Sequence, residues 1–277
     1  MNLLETITQL SHEFGTADFV KGGGGNTSAK TADTLWVKPS GTTLAGLTPQ
    51  TFVVLDRAKL VSLYAVAIPQ DSHARETLVK DMMAAAVKPD SIGRPSVEAP
   101  LHDILSGTFV VHTHPSLVNG LTCAKQGAAA CARLFPDALW IPYIDPGFTL
   151  CMDVRCRLRG QKLVILENHG IFVAGDTADE IRATYRRVLV ALRSEYAKVG
   201  ISTELQAGQI PATTEPVTPD HMVYTNHPKL GPVMATDCAL IRQLAAAFGG
   251  IQLLDERSQK FIREWEVEAY RQKQVTI

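Results

Sequence analysis

The spacing of apolar residues divides the first 200 residues into alternating helices and strands. Amphipathic or apolar stretches predict helices at residues 2–14, 75–87, 97–105, 115–133, 147–159 and 176–199. Short apolar runs predict strands at residues 35–38, 52–55, 108–113, 139–141, 162–166 and 171–174. Strands mixed with helices in this order predict a layered α/β domain.

The pattern changes after residue 200. Threonine, proline and glycine become frequent across residues 200–235, which is typical of a connection that runs over the surface. Two further helices are predicted at residues 237–248 and 256–274. Since two such helices cannot bury a core by themselves, we expect them to pack on the main domain or on a neighbouring subunit.

Composition excludes several classes of protein. The chain has 277 residues, of which 45% are hydrophobic and 20% are charged, and its net charge of -1 lacks the basic excess of a nucleic-acid-binding protein. No apolar run approaches the roughly 18 residues of a membrane span, and the N-terminus does not resemble a secretory signal. Five irregularly spaced cysteines fit free thiols in a reducing compartment. We therefore predict a cytoplasmic protein with no nucleic-acid or membrane partner.

Three histidines lie where predicted strands end. The strand at 108–113 leads into His112-Thr113-His114, and residues i and i+2 of an extended chain point to the same face. His169, which follows the strand at 162–166, can bring a third imidazole from a neighbouring strand. Three protein nitrogens and an open fourth position form the ligand set of a catalytic zinc ion. We interpret the remaining five histidines as structural or exposed.

Glu98 is the candidate acid–base residue. It lies in the sequence Pro95-Ser96-Val97-Glu98 at the start of a predicted helix, where Ser96 is a good cap and the helix dipole favours an acid in the first turn. Near a metal, the same carboxylate can take a proton from a substrate. The residues by themselves leave both interpretations open.

Four consecutive glycines precede Asn26, Thr27 and Ser28. We predict that this segment is a loop or a strand-edge turn. One interpretation is that the glycines form a flexible loop and have no further role. Alternatively, they let backbone N–H groups converge on an anion, helped by Asn26 and a hydroxyl of Thr27 or Ser28.

Two more turns made of small residues supply further donors. Ser40-Gly41 and Ser96 offer hydroxyl and N–H groups on separate loops, and Lys30 or Lys38 can add positive charge. Each signal alone is weak. Interspersed among the elements that carry the histidines, they predict a pocket for a phosphate or a carboxylate.

The chain resembles the class II aldolase and adducin-head superfamily over about residues 5–200. Five motifs carry this resemblance, in the order Gly-Asn-Thr-Ser, Pro-Ser-Gly, Pro-Ser-x-Glu, His-x-His-Pro and Asn-His-Gly. Residues 94–102, 141–148 and 218–224 are similar to the aldolase part of bifunctional rhamnulose-phosphate aldolase/dehydrogenases. We find no dehydrogenase half among the 277 residues.

The resemblance implies a fold and an assembly. Residues 1–200 would form a metal-binding catalytic domain, a layered α/β/α structure with a central, mainly antiparallel sheet. Residues 201–277 would form a connection and a C-terminal helical extension. Members commonly form homotetramers with active sites at subunit interfaces.

The resemblance also implies roles for single residues. His112, His114 and His169 would bind one Zn²⁺ ion per subunit, and Glu98 would be the acid–base carboxylate. Five residues would surround the substrate phosphate: Gly25, Asn26, Ser40, Gly41 and Ser96. Ser28 is a further candidate for this role. The chain departs from the simple fuculose-phosphate aldolase pattern at Gly23, where a threonine would stand, and at Val97, where a second serine would help hold phosphate.

Together with these residues, the resemblance implies a metal-dependent aldolase that cleaves a ketose 1-phosphate or a related hydroxy-carbonyl compound through a metal-stabilised enediolate. Glu98 would move the proton at the enediolate carbon, and Tyr143 or a residue of a neighbouring subunit would handle the proton of the cleaved hydroxyl. Sugar-phosphate epimerases, dehydratases and decarboxylases of the superfamily are alternatives. A non-enzymatic, adducin-like interaction module is another, although adducin heads lack the metal histidines that are present here.

Overall fold

A computed structural model describes residues 2–67, 69, 71–205 and 215–265 of the chain. In these residues, seven strands form one sheet: β1 (Asn26–Lys30), β2 (Thr34–Val37), β3 (Val53–Asp56), β4 (Phe109–Thr113), β5 (Leu139–Ile141), β6 (Leu163–Leu166) and β7 (Gly170–Gly175). The α-helices before residue 200 are α1 (Leu3–Glu13), α2 (Arg57–Leu63), α3 (Ser72–Ala86), α4 (Ala99–Ile104), α5 (Ser116–Thr122), α6 (Gly127–Leu134), α7 (Phe148–Arg157) and α8 (Ala178–Lys198). Three more follow: α9 (Pro219–Tyr224), α10 (Gly231–Ala245) and α11 (Glu256–Glu264).

The strand order of the sheet is β3-β2-β1-β4-β7-β6-β5. Every pair of neighbours is antiparallel except β5 and β6, which run parallel. The predicted central, mainly antiparallel sheet is therefore confirmed.

Alternating side chains of the central strands enter two separate cores. Val111 of β4 and Val173 of β7 pack in the cluster that contains residues of α1, α5, α6, α8 and α10. Val110 and Phe172, from the same two strands, pack on the opposite face with residues of α4 and α7. Both faces of the sheet are thus covered by helices, which gives the predicted α/β/α layers and explains why these strands consist of nearly continuous apolar runs.

Strand β1 corrects the prediction for residues 26–28, which we expected in a loop or a strand-edge turn. Asn26–Lys30 forms a strand between β2 and β4, near the middle of the sheet. The Thr27 hydroxyl faces α1, where it shares a 2.6 Å hydrogen bond with Ser11. Pairing on both sides and burial stabilise this polar segment as a strand, although its composition and the preceding glycines favour a turn.

Two short helices were not predicted. Helix α2 directly follows β3, and Asp56 caps its first turn. Helix α9 lies within residues 200–235, the predicted surface connection, and Thr218 caps it while Pro219 occupies its first position. Both helices have only six or seven residues, so apolar spacing alone does not reveal them. Helix α4 is equally short, but Ser96 and Glu98 indicated where it starts.

Helix α10 packs against α5, the helix that directly follows the His114-Pro115 turn. It begins at Gly231 and ends at Ala245, followed by a short 3₁₀ turn, so it starts six residues earlier than predicted. Helix α11 begins at Glu256, as predicted; residues 266–274 of that predicted helix lie outside the described residues.

All five cysteines are free thiols, and four of them are buried. None of the helices in the described ranges combines the length and the apolar character that crossing a membrane requires.

We predict that Gly120→Ala destabilises the protein. A Cβ atom at Gly120 would collide with Leu244 Cβ of α10 and lie 2.5 Å from the Tyr196 hydroxyl of α8. Overpacking of this kind costs about 1–3 kcal/mol, more than the roughly 1 kcal/mol that alanine gains over glycine in a helix. Urea unfolding should therefore show a lower midpoint for the variant. A midpoint equal to or above that of the wild type would contradict the close packing of α5 against α8 and α10.

Candidate metal centre

Two strand ends and one turn bring the three predicted histidines together. His112 lies near the end of β4 and His114 directly after it. His169 lies in the three-residue turn between β6 and β7, and Asn168 in that turn adopts a left-handed conformation with φ of 51°. Because β4 pairs with β7, with His112 opposite Phe172, the turn is placed beside the end of β4.

The three imidazoles form one buried cluster. One ring nitrogen of each histidine lies within 4.8 Å of the others, and Nε2 of His112 is 2.9 Å from Nε2 of His114. His112 is fully buried, and His114 and His169 are 7% and 6% exposed. The cluster can bind a metal ion, because three imidazole nitrogens converge where little water competes for them.

The second ring nitrogens of two histidines have their own partners. His112 Nδ1 lies 2.9 Å from the carbonyl oxygen of Ile171, and His114 Nδ1 lies 2.6 Å from Oδ2 of Asp220. A carbonyl or carboxylate oxygen can only accept, so each Nδ1 carries the proton and each Nε2 presents a lone pair toward the cluster. Metal-binding histidines show this arrangement almost always, and the residues present therefore fit a metal ion.

Burial keeps His169 neutral. It lowers the pKa of His169 to about 3; Glu98 opposes this effect, while His112 and His114 contribute to it. A neutral imidazole has the free lone pair that metal binding requires, so His169 is available as a ligand at neutral pH.

Glu98 faces the same cluster. Its Oε1 lies 3.5 Å from Nε2 of His112 and 3.6 Å from Nε2 of His169, and its Oε2 accepts a 2.5 Å hydrogen bond from Asn26. Oε1 is buried and has no hydrogen-bond partner among the described residues. The interpretation of Glu98 as a solvated acid of the first helical turn is therefore wrong. Glu98 itself is the N-cap residue of α4, and Ser96, in the turn just before it, accepts a cap-like hydrogen bond from the Glu98 N–H.

A small pocket opens beside the cluster. Most of the predicted anion-binding residues line it: Asn26, Ser40, Gly41 and Ser96. Gly23, Lys38, Val97, Glu98, His169 and Asp220 also contribute to its wall. Lys38 is 2% exposed and its ammonium group donates to the carbonyl oxygen of Gly23, which places a positive charge beside these hydroxyl groups.

Two of the residues predicted to bind the anion, Gly25 and Ser28, lie outside this pocket. Gly25 has φ of 70°, and an added Cβ would lie 2.5 Å from Val20 Cγ1 and 2.8 Å from the His112 carbonyl oxygen, so glycine is needed for close backbone packing. The Ser28 hydroxyl forms a 2.8 Å hydrogen bond with Nδ1 of His102. Neither residue belongs to the lining of the pocket.

Lys30 and His102 are two buried polar residues beside β1 and α4. The Lys30 ammonium donates to the carbonyl oxygens of His102 and Leu105, at the end of α4, and burial lowers the pKa of Lys30 to about 8. His102 is fully buried, and burial lowers its pKa well below the usual value. The contacts of both residues stabilise α4, the helix whose N-cap is Glu98.

Asp220 is the residue near the histidines that sequence reasoning missed. The resemblance drew attention to residues 218–224, but no local pattern indicated that Asp220 contacts His114. Tyr143, a candidate for the second proton transfer, packs with residues of α9, α10 and α11. Burial raises the pKa of its phenol, which further disfavours ionisation.

The chain belongs to the family described as the Class II Aldolase and Adducin N-terminal domain, whose model matches residues 5–191. That match includes the three histidines, Glu98 and the small-residue turns, but it ends before α9. The superfamily resemblance is thereby confirmed.

The chain is similar to one curated relative and to two solved structures. The uncharacterized oxidoreductase YuxG of Bacillus subtilis (strain 168) is 31% identical over 170 residues, which are 57% of this chain and 24% of that protein. The chain thus spans about a quarter of that relative's length. The N-terminal class II aldolase domain of a conserved protein from Thermoplasma acidophilum is 27% identical with a TM-score of 0.61, covering 69% of this chain and 92% of that one. YgbL from Klebsiella pneumoniae, described as a putative aldolase/epimerase/decarboxylase, is 18% identical with a TM-score of 0.52 and shares the fold, with coverage of 70% and 88%.

We predict that His102→Gln reduces acid destabilisation of the metal-free protein. Since the pKa of His102 is lowered on folding, the unfolded chain takes up a proton at this position below about pH 6.5, whereas the folded chain does not. Stability is therefore lost as the pH falls below about 6.5, because only the unfolded chain gains the proton.

Glutamine can keep the hydrogen bond to Ser28 but does not titrate. Urea unfolding at pH 7 and pH 5 should show a smaller loss of unfolding free energy for the variant than for the wild type. An equal loss in both proteins would mean that His102 is protonated in the folded state.

Proposed function

We propose that the chain is a zinc-dependent aldolase that cleaves a ketose 1-phosphate or a related hydroxy-carbonyl compound. One observation carries the proposal: three buried histidines converge next to a buried carboxylate oxygen that has no hydrogen-bond partner among the described residues. The pocket beside them, with its hydroxyl groups and Lys38, supports an anionic substrate. Family membership supports the same class of reaction.

His112, His114 and His169 would hold the metal. A divalent ion bound there supplies Lewis-acid stabilisation of the negative charge that develops on the substrate's oxygens when the carbon–carbon bond breaks. We propose Zn²⁺ because three nitrogen donors with an open position suit that ion, although such donor sets also accept other transition metals.

Glu98 would act as the acid–base residue. Asn26 donates to Oε2, which leaves Oε1 directed toward the histidine cluster. In the cleavage direction, Glu98 in its protonated form would donate a proton to the substrate carbon released when the carbon–carbon bond breaks, and in the reverse direction its carboxylate would take that proton back; the fixed orientation of the side chain favours both transfers. The hydrogen bond from Asn26 thus gives Asn26 a part in orienting the base.

The substrate phosphate would bind in the adjoining pocket. Ser40, Gly41 and Ser96 offer hydroxyl and backbone N–H donors, and Lys38 offers a positive charge. Gly23 and Val97 also line this pocket, at the positions where the fuculose-phosphate aldolase pattern has hydroxyl side chains. We therefore propose that Lys38 takes a larger share of anion binding here.

The aldolase reaction needs a second proton-transfer group, which handles the proton of the cleaved hydroxyl. Because Tyr143 packs with the C-terminal helices, we propose that a neighbouring subunit supplies this group, within a homotetramer.

We also propose that residues 1–200 form the catalytic domain and residues 201–277 its helical extension.

Product analysis distinguishes the aldolase from its alternatives. Metal-reconstituted protein is incubated with ketose 1-phosphates and short sugar-acid phosphates, and the products are followed by NMR. A released aldehyde supports the aldolase. An unbroken isomer would indicate an epimerase, loss of water a dehydratase, and carbon dioxide a decarboxylase. No turnover together with no bound metal would favour a non-enzymatic interaction module.

We predict that Glu98→Gln and His169→Ala both lose activity but differ in metal content. Glutamine can neither donate nor take up this proton, so Glu98→Gln should retain the metal but lower kcat by about 10²–10⁴-fold. His169→Ala removes a ligand and should lose the metal as well as the activity.

Metal content after dialysis, measured by mass spectrometry, and steady-state rates separate the two outcomes. Glu180→Gln, on the exposed part of α8, is the control and should match the wild type in both measurements. Full activity of Glu98→Gln would contradict the role of Glu98 as the base.

A further inference from the structure

We infer that Asp220 is a positioning residue of the metal centre, through which the segment after residue 200 sets the affinity of the site for metal. The inference rests on the metal site of the proposed function and adds a residue that lies outside the family match. It concerns the orientation of His114, not a direct bond between Asp220 and the metal.

The contact between Asp220 and His114 is short and buried. Asp220 lies in the first turn of α9 and is 5% exposed. Its Oδ2 accepts a 2.6 Å hydrogen bond from Nδ1 of His114, and the two residues are 106 positions apart in the sequence. A carboxylate at this nitrogen fixes the ring tautomer and directs the lone pair of Nε2 toward His112 and His169.

Gly24 makes room for this pair. A Cβ atom at Gly24 would collide with Oδ2 of Asp220 and lie 3.2 Å from Nδ1 of His114. The glycine run therefore contributes to the metal centre as well as to the pocket, because one of its members lets the carboxylate and the imidazole meet.

The same C-terminal segment also holds the turn of His169. The side-chain amide of Asn168 donates to the carbonyl oxygens of Val217 and Gln252, at 2.9 Å each. Two of the three histidines are thus held by residues between 217 and 252. This second connection explains how a segment outside the matched domain can determine the geometry of the site.

A second aspartate–histidine pair in this segment provides a matched control. Asp237 of α10 is 7% exposed, its Oδ2 lies 3.2 Å from Nε2 of His221, and it contacts Lys21 and Ser116. Burial opposes ionisation of Asp237, but its proximity to His221 and the charge of Lys21 lower its pKa to about 2. Asp237→Asn therefore removes a buried charge from the same segment without touching a predicted ligand.

The test measures Zn²⁺ affinity directly, by competition with a chromophoric chelator, in the full chain. Asp220→Asn preserves the size of the side chain but removes its charge, and Asp220→Ala removes the acceptor. We expect the Kd for Zn²⁺ to rise about 10–100-fold in both variants, the range typical for loss of a carboxylate partner of a metal-bound histidine. Asp237→Asn should stay within about threefold of the wild type.

A spectroscopic measurement accompanies the affinities. In cobalt-substituted protein, Asp220→Asn should shift the visible absorption bands of the ion, whereas Asp237→Asn should not. If Asp220→Asn does not fold, NMR of wild-type protein labelled with ¹⁵N-histidine decides instead. A strongly downfield Nδ1 proton on His114 supports the inference, and its absence overturns it.

The outcomes also separate this inference from the proposed function. Wild-type affinity and spectra in both Asp220 variants would overturn the positioning role and leave the proposed function intact. An equal loss of affinity in Asp237→Asn would show a general loss of structure and would also overturn it. A wild-type chain that binds no Zn²⁺ would contradict the proposed function itself.

Discussion

The candidate site depends on the antiparallel pairing of β4 with β7. Their register sets His112 opposite Phe172, whose ring stacks on the imidazole at 3.8 Å, and it places the Ile171 carbonyl oxygen at His112 Nδ1. The same pairing brings the turn with His169 to the end of β4. A slip of one residue would turn His112 toward the opposite core and separate the cluster.

Burial of the cluster imposes a second constraint, because buried polar atoms need partners. Asn26 satisfies one oxygen of Glu98, Ile171 satisfies one nitrogen of His112, and Asp220 satisfies one nitrogen of His114. The Oε1 atom of Glu98 and the Nε2 atoms of the histidines face one another. This arrangement is costly for a protein that binds nothing there, and a metal ion would relieve it.

Much of the fold could be predicted from the sequence, because the central strands are buried on both faces and appear as continuous apolar runs. The strand before His112 and the strand before His169 were found in this way, and the family match confirms the superfamily resemblance drawn from the motifs. Strand β1 was missed because its polar residues are stabilised by neighbouring strands. Helix α9 was missed because apolar spacing alone does not reveal a helix of six residues.

The sequence by itself determined the candidate chemistry: three imidazoles near strand ends, a carboxylate at a helix start and small residues in turns. These signals are local, since strand alternation and turn composition act over a few neighbouring residues. Only the tertiary structure decided which polar groups meet. Asp220 contacts His114 across 106 positions, and Ser28 bonds to His102 rather than lining the pocket. Such contacts depend on how distant segments pack, and no short-range pattern in the chain encodes them.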